Sequence, residues 1–194
     1  MAPTTREAAM SDHHTFDPAA ADKLEDVERY KYVSRDELVG ALAAAPDAAV
    51  VDLGSGTGFY TRDVAASVGT VHAVDVQEEM HDAFAGVGVP ADVDQVTARV
   101  SDMPFADDRL DGAYSTMTFH EFVGEEALAE VRRVLAPGAR FAVFDWSAEG
   151  SGERGPPLSA RYGPADAAET IADAGFDVVR SGGRPETFVV VATA

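Results

Sequence analysis

The 194 residues, 46% of them hydrophobic and 8% aromatic, suit one domain with a well-buried core and are too few for two ordinary ones. There is no cysteine, which excludes disulfides, zinc–thiolate centres and a cysteine nucleophile. A formal net charge of −19 weighs against a nucleic-acid partner, because phosphate contacts need clustered Lys and Arg.

Residues 1–12 are polar and aperiodic and are expected to be disordered. The adjacent His13 and His14 point apart on regular structure and have no partner cluster, so they read as solvated loop histidines and no metal site is expected. Pro18 suits the first turn of a helix over residues 19–28. Ser34-Arg35-Asp36-Glu37 reads as a capping box ahead of a helix that buries Leu38, Val39 and Leu42. Phe16, Leu24, Val27, Tyr30 and Tyr32 give residues 13–32 more apolar surface than water tolerates. This segment is expected to cover a ligand site, with a helix packed far from the site as the alternative; Tyr30 and Tyr32 are packing residues or pocket candidates.

From Val50 onward strand and helix patterns alternate, which calls for parallel strands with crossovers. Strands are expected at 49–53, 70–74, 96–100, 112–117 and 140–144, with helices at 59–68, 78–84 and 124–135 between them. Pro137-Gly138 turns the chain into the fifth strand. Residues 147–162, rich in Gly, Ser and Pro, form a long loop after it. A helix from Gly163-Pro164 to about Ala174 precedes strands at 176–180 and 187–192. The six residues between these last strands cannot hold a parallel crossover, so the pair is antiparallel.

Between the first strand and its helix lies Asp52-Leu53-Gly54-Ser55-Gly56-Thr57-Gly58. Glycines at 54, 56 and 58 permit positive φ and let a ligand lie against the main chain. Asp75, at the tip of the second strand, is placed to accept both hydroxyls of a ribose. A dinucleotide fingerprint needs a third glycine where Phe59 stands, and Asp52 repels phosphate and attracts a cation or amine. The ligand indicated contains adenosine, and the turn points away from NAD.

Val51-Asp52-Leu53-Gly54-Ser55-Gly56-Thr57-Gly58 resembles the first motif of class I S-adenosylmethionine-dependent methyltransferases, particularly the type 11 methyltransferase-domain group. Asp75 resembles that family's ribose-binding acid, Ser101-Asp102-Met103-Pro104-Phe105 its adenine-side loop, and Leu110-Asp111-Gly112-Ala113-Tyr114-Ser115 its fourth strand. Residues 128–140 are similar to its helix and turn before strand five. The resemblance is strong over residues 47–145 and weak in the flanks.

It implies an α/β fold: a Rossmann-like, doubly wound, mostly parallel sheet with an antiparallel C-terminal strand, plus N-terminal helices. Residues 1–46 would be a tail and cover helices, and 47–194 the S-adenosylmethionine-binding domain. The implied cofactor contacts are Asp52, Gly54, Ser55, Gly56, Thr57, Gly58, Asp75, Val76, Met80, Ser101, Asp102, Met103 and Thr116. Asp102 and the main chain around Met103 would meet the adenine amino group, Val76 and Met80 would sandwich the ring, and Asp52 would orient the methionine end or serve the turn structurally. His120 sits where the family places acceptor-side residues, so it reads as a base for a small-molecule acceptor, or as a helix cap or cofactor contact.

The implied activity is methyl transfer to an unidentified small molecule. A non-enzymatic S-adenosylmethionine-binding protein is the alternative, and an NAD-dependent oxidoreductase a weaker one. The acids are dispersed, and Lys23 and Lys31 are the only lysines among 15 basic residues, as in halophilic proteins whose self-repulsion salt screens. With no apolar leader and no stretch long enough to span a bilayer, a cytoplasmic protein without membrane contact is expected.

Overall fold

The computed structural model describes residues 16–194; the expectations for residues 1–12 and for His13 and His14 fall outside them. Seven strands form one sheet: β1 (Ala49–Leu53), β2 (Thr70–Asp75), β3 (Val93–Thr97), β4 (Leu110–Thr116), β5 (Leu135–Trp146), β6 (Asp177–Gly183) and β7 (Thr187–Thr193). They lie in the order β3-β2-β1-β4-β5-β7-β6. The first five are parallel, and β7 runs antiparallel to both β5 and β6. This is the expected mostly parallel, doubly wound α/β sheet with an antiparallel C-terminal strand.

The helices are α1 (Arg35–Leu42), α2 (Phe59–Ala65), α3 (Glu78–Val87), α4 (Phe119–Phe122), α5 (Glu125–Val134) and α6 (Pro164–Asp173). Alternation along the strands divides the core in two. Val51, Ala113, Phe141, Val143 and Val190 pack with Leu128 and Val131 of α5 and Ile171 of α6. Val50, Tyr114, Ala142, Phe144, Val189 and Val191 pack with Leu38 of α1, Val64 of α2 and Phe84 of α3. Both faces are covered, as a mainly parallel sheet requires.

Three elements differ from expectation. β3 spans Val93–Thr97, not 96–100, because its register with β2 runs from Val71↔Val93 to Asp75↔Thr97. As an edge strand it leaves Asp94, Gln95 and Thr97 exposed and carries no long apolar run to mark it. The single helix expected at 19–28 is two 3-10 helices, Pro18–Glu25 and Val27–Lys31. Asp26 interrupts it, since its side chain accepts the Glu28 N–H and starts the second piece. Pro137-Gly138 lies inside the span of β5 as a bulge between the pairs Leu110↔Leu135 and Gly112↔Arg140.

Local signals explain the junctions that position the upper edge of the sheet, where β1, β2, β4 and β5 end. The Ser34 hydroxyl accepts from the Glu37 N–H, the expected cap of α1. Gly58, at φ +75°, starts α2. A Cβ there would meet the Phe84 ring of α3 at 2.2 Å, so only glycine fits both the backbone and the packing. No helix among the described residues is long and apolar enough to cross a membrane.

Gly58→Ala is expected to destabilise the fold by about 1–2 kcal/mol from the left-handed backbone alone, and by more if Phe84 must move. Urea unfolding of the two proteins measures it, and an unchanged midpoint would show that the turn relaxes without cost.

Candidate active site

The strand order reverses between β1 and β4, so the loops leaving these two strands diverge and open a crevice at the carboxyl edge of the sheet. The glycine-rich turn leaves β1 there. Gly54 and Ser55 both donate their N–H groups to the Val74 carbonyl at 2.9 Å, pinning the turn to β2. Gly54 has φ +76°, and a Cβ on it would lie 2.3 Å from Cγ2 of Thr118, which follows β4. The close approach allowed by Gly54 and Gly58 is thus to Thr118 and Phe84, a packing requirement that the sequence alone did not reveal.

Asp75 ends β2. One carboxylate oxygen accepts the Gly56 N–H at 2.8 Å and the other the Gln77 N–H at 2.9 Å. Each keeps a lone pair for a further donor, so a ribose diol fits this carboxylate. Asp52 points inward instead: it is buried, and its Oδ2 accepts the Thr61 hydroxyl of α2 at 2.6 Å. The Tyr114 hydroxyl faces it without closing a hydrogen bond, and Asp52 Oδ1 and the Ser55 hydroxyl are buried without partners. Burial pushes the Asp52 carboxyl up to about 7, against the lowering by Thr61, with the nearby Asp75 charge adding to the rise.

The adenine-side loop is less open than expected. The Met103 N–H donates to Glu130 Oε1 at 2.8 Å, and its side chain lies in the core; Asp102 is exposed and Ser101 half-buried. Val76 stands 46% exposed, whereas Met80 is buried. Thr116 is buried, with its carbonyl accepting from the Thr118 hydroxyl at 3.2 Å. Thr57 is buried, and its hydroxyl donates to Glu25 of the first 3-10 helix.

On the other side of the crevice, α4 carries His120. Its backbone N–H donates to Asp145 Oδ2 at 2.7 Å, and its Nδ1 lies 2.9 Å from the same oxygen. Its Nε2 faces Glu121 Oε1 at 3.8 Å. Burial alone would lower the His120 imidazole, but the Asp145 carboxylate, by charge and hydrogen bond, and Glu121 hold it above its ordinary value; Arg161 opposes them. Burial pushes Glu121 up to about 7.

The N-terminal segment lies over both sides. The Phe16 carbonyl accepts from Gln77 Nε2 at 3.0 Å, and its N–H donates to Glu121. Leu24 abuts Gly56, and Glu25 also pairs with Arg62. Tyr30 stacks on Phe59 and bonds Asp63, so it packs on α2. Tyr32 stacks on Trp146, whose other neighbours are Arg161 and Gly155 of the long loop. Val27, expected to be buried, is 71% exposed.

Asp145, Thr118, Glu25 and Trp146 escaped the sequence reading. The position of Asp145 just past the expected end of strand five was the available signal, since the carboxyl ends of parallel strands face the crevice.

A family profile described as "Methyltransferase domain" matches residues 51–143. A solved S-adenosylmethionine-dependent methyltransferase from Aquifex aeolicus superimposes with a TM-score of 0.83 at 29% identity, covering 92% of this chain and 98% of that one. Residues 51–143 form a methyltransferase domain of the S-adenosylmethionine-dependent class. Among curated relatives, 24-methylenesterol C-methyltransferase 2 of Arabidopsis thaliana is 30% identical over 73% of this chain and 45% of its own length. Demethylmenaquinone methyltransferase of Mycobacterium sp. (strain KMS) is 33% identical over 58% of this chain and 48% of its own. The chain thus spans less than half the length of these curated relatives. S-adenosylmethionine is the cofactor that this domain implies. The turn, Asp75 and the unpartnered buried oxygens at Asp52 and Ser55 fit it.

The raised Asp52 carboxyl has a consequence for stability. The folded chain holds a proton that the unfolded chain, with an ordinary value of 3.8, releases, so stability falls as pH rises from about 4 to about 7 and levels above. Asp52→Asn keeps an acceptor for Thr61 and carries no charge. Its melting temperature is expected to gain on that of the wild type across this window; parallel curves would place Asp52 in a solvated setting.

Proposed function

We propose that this protein transfers a methyl group from S-adenosylmethionine to a small-molecule acceptor held beside His120. The observation that carries the reading is the placement of Asp75 with the glycine-rich turn on one side of the β1/β4 crevice and His120 with Asp145 on the other. The bound cofactor supplies a methyl group already activated by its sulfonium charge.

The chain's own residues then have four tasks. Asp75 accepts the ribose hydroxyls, and the main chain from Gly54 to Gly58 supports the ligand. Asp102 and the main chain at Met103 meet the adenine edge, the latter by exchanging its bond with Glu130, while Val76 offers its exposed face to the ring. The 16–32 segment covers the crevice and excludes water, and His120 takes the acceptor's proton. Alignment of the reacting atoms supplies most of the acceleration in such a site.

The named activities of the sterol and menaquinone relatives support a small-molecule acceptor, and the charge of −19 weighs against nucleic acid. Phe59, buried where a dinucleotide site needs glycine, weighs against NAD. We place the protein in the cytoplasm and assign its dispersed acidity to a salt-rich interior.

S-adenosylmethionine and its demethylated product are expected to raise the melting temperature, and NAD is not. Asp75→Ala should weaken cofactor binding by about 1.5–3 kcal/mol, the worth of a charge-assisted hydrogen bond. Equal stabilisation by NAD, or unchanged affinity in the variant, would sink the assignment. Molar KCl should stabilise the fold relative to dilute buffer by screening self-repulsion; a melting temperature flat or falling with salt contradicts the halophilic reading.

A further inference from the structure

We propose that Asp145 is the positioning residue of the acceptor base: it fixes the His120 ring so that Nδ1 carries the proton and Nε2 presents a lone pair to the acceptor. The inference rests on the methyl-transfer reading for the source of the proton that Nε2 takes.

The geometry is that of a clamp. Asp145 is fully buried at the end of β5, and its Oδ2 accepts both the His120 backbone N–H, at 2.7 Å, and the ring Nδ1–H, at 2.9 Å. Its Oδ1 accepts the Trp146 N–H at 2.7 Å and stands 3.0 Å from the same ring nitrogen. A carboxylate accepts only, so every nitrogen facing it carries hydrogen, and the neutral imidazole is left with its lone pair on Nε2. The backbone bond serves a second purpose: it satisfies an orphan N–H in the first turn of α4, which has no side-chain cap of its own. One side chain from β5 thereby sets where α4 begins and how its second residue turns.

The charged groups around the ring favour its protonation during the reaction. Asp145 approaches from β5 and Glu121 from α4, while Arg161 reaches in from the loop after β5 and opposes them. Nε2 and Glu121 stand 3.8 Å apart, outside hydrogen-bond distance, so the lone pair is not consumed by that neighbour. When the acceptor's X–H bond breaks, its proton forms the Nε2–H bond and its electron pair stays on the acceptor atom. The resulting imidazolium is held against the Asp145 carboxylate. A neutral, proton-bearing acceptor needs this help, whereas an amine already carrying a free lone pair does not.

The test reads the ring directly in cofactor-free protein. In ¹⁵N-histidine-labelled wild type, with His120 assigned through His120→Gln, the neutral ring is expected to be protonated at Nδ1 and to titrate above an ordinary histidine. A ¹⁵N-labelled histidine in a short unstructured peptide serves as the reference. Asp145→Asn is expected to lower the His120 titration and to mix or reverse the tautomer, because the amide can donate to Nδ1. Glu121→Gln is expected to leave the tautomer unchanged. A wild-type ring protonated at Nε2 overturns the proposal without any variant, so a failure of Asp145→Asn to fold cannot shelter it. A tautomer that follows Glu121→Gln and ignores Asp145→Asn overturns it as well. Because no cofactor is present, loss of S-adenosylmethionine binding, which defeats the methyl-transfer reading, is scored in a separate experiment.

Discussion

The contact between Thr118 and Gly54 joins the two halves of the crevice, and much of the site depends on it. β1 and β4 are neighbours, and the chain leaving each must pass the other at the edge of the sheet. Gly54 makes this possible by lacking a Cβ where the Thr118 methyl lies. The Thr118 hydroxyl then shares its one hydrogen between the Gly54 and Thr116 carbonyls, at 3.3 and 3.2 Å. Met117, just before it, takes a positive φ of 63°, a conformation costly for a side chain of this kind. Its N–H bonds the Phe144 carbonyl at 2.6 Å, which helps hold the strained residue. The cost is met at the point where the chain must turn from β4 into α4, and it sets the distance between the glycine-rich turn and His120.

Negative charge is the second constraint at this edge. Asp52, Asp75, Glu121 and Asp145 end or follow four neighbouring segments, and the Asp75 charge raises both Asp52 and Glu121. Desolvation remains the larger effect on each of those two, so near neutral pH each stands close to half-protonated. Such a site is poorly suited to a pyrophosphate and well suited to a ligand bearing ammonium or sulfonium charge. The balance also separates roles. Asp75 is tied to two backbone N–H groups and Asp145 to the backbone and ring of His120, whereas the Asp52 carboxyl faces only the hydroxyls of Thr61 and Tyr114.

The parts of this architecture that were legible in the sequence are those governed by strong local rules. β1 and the turn were marked by an apolar run breaking into alternating glycines, the α1 start by Ser34 and Glu37, and the antiparallel end of the sheet by a connection too short for a crossover. β3 was displaced because an edge strand needs little apolar content. The 3-10 pieces were unreadable because helix propensity in residues 19–28 lost to capping by Asp26, a side-chain choice that composition does not announce. Among the candidate site residues, Asp75 ends β2 and His120 follows β4 closely, so position along the chain alone set both beside the crevice. Asp145 and Thr118 matter only through partners 25 and 64 residues away, and such pairings have no local signature.

The 16–32 segment, proposed above to cover the crevice, is held by contacts that suit a part able to open. Neither 3-10 helix contains a buried residue. Its attachments are polar or partly exposed: Phe16 to Gln77 and Glu121, Glu25 to Thr57 and Arg62, Tyr30 to Asp63. These contacts lie at the surface, exposed or part-buried, so detaching this segment costs less than unfolding a core element. The same contacts link the cover to residues on both sides of the crevice, since Gln77 follows Asp75 and Glu121 follows His120. A ligand that draws the Asp75 turn and α4 together therefore also aligns the anchors of the cover. Closure in the proposed enzyme would then depend on both halves of the site being correctly filled.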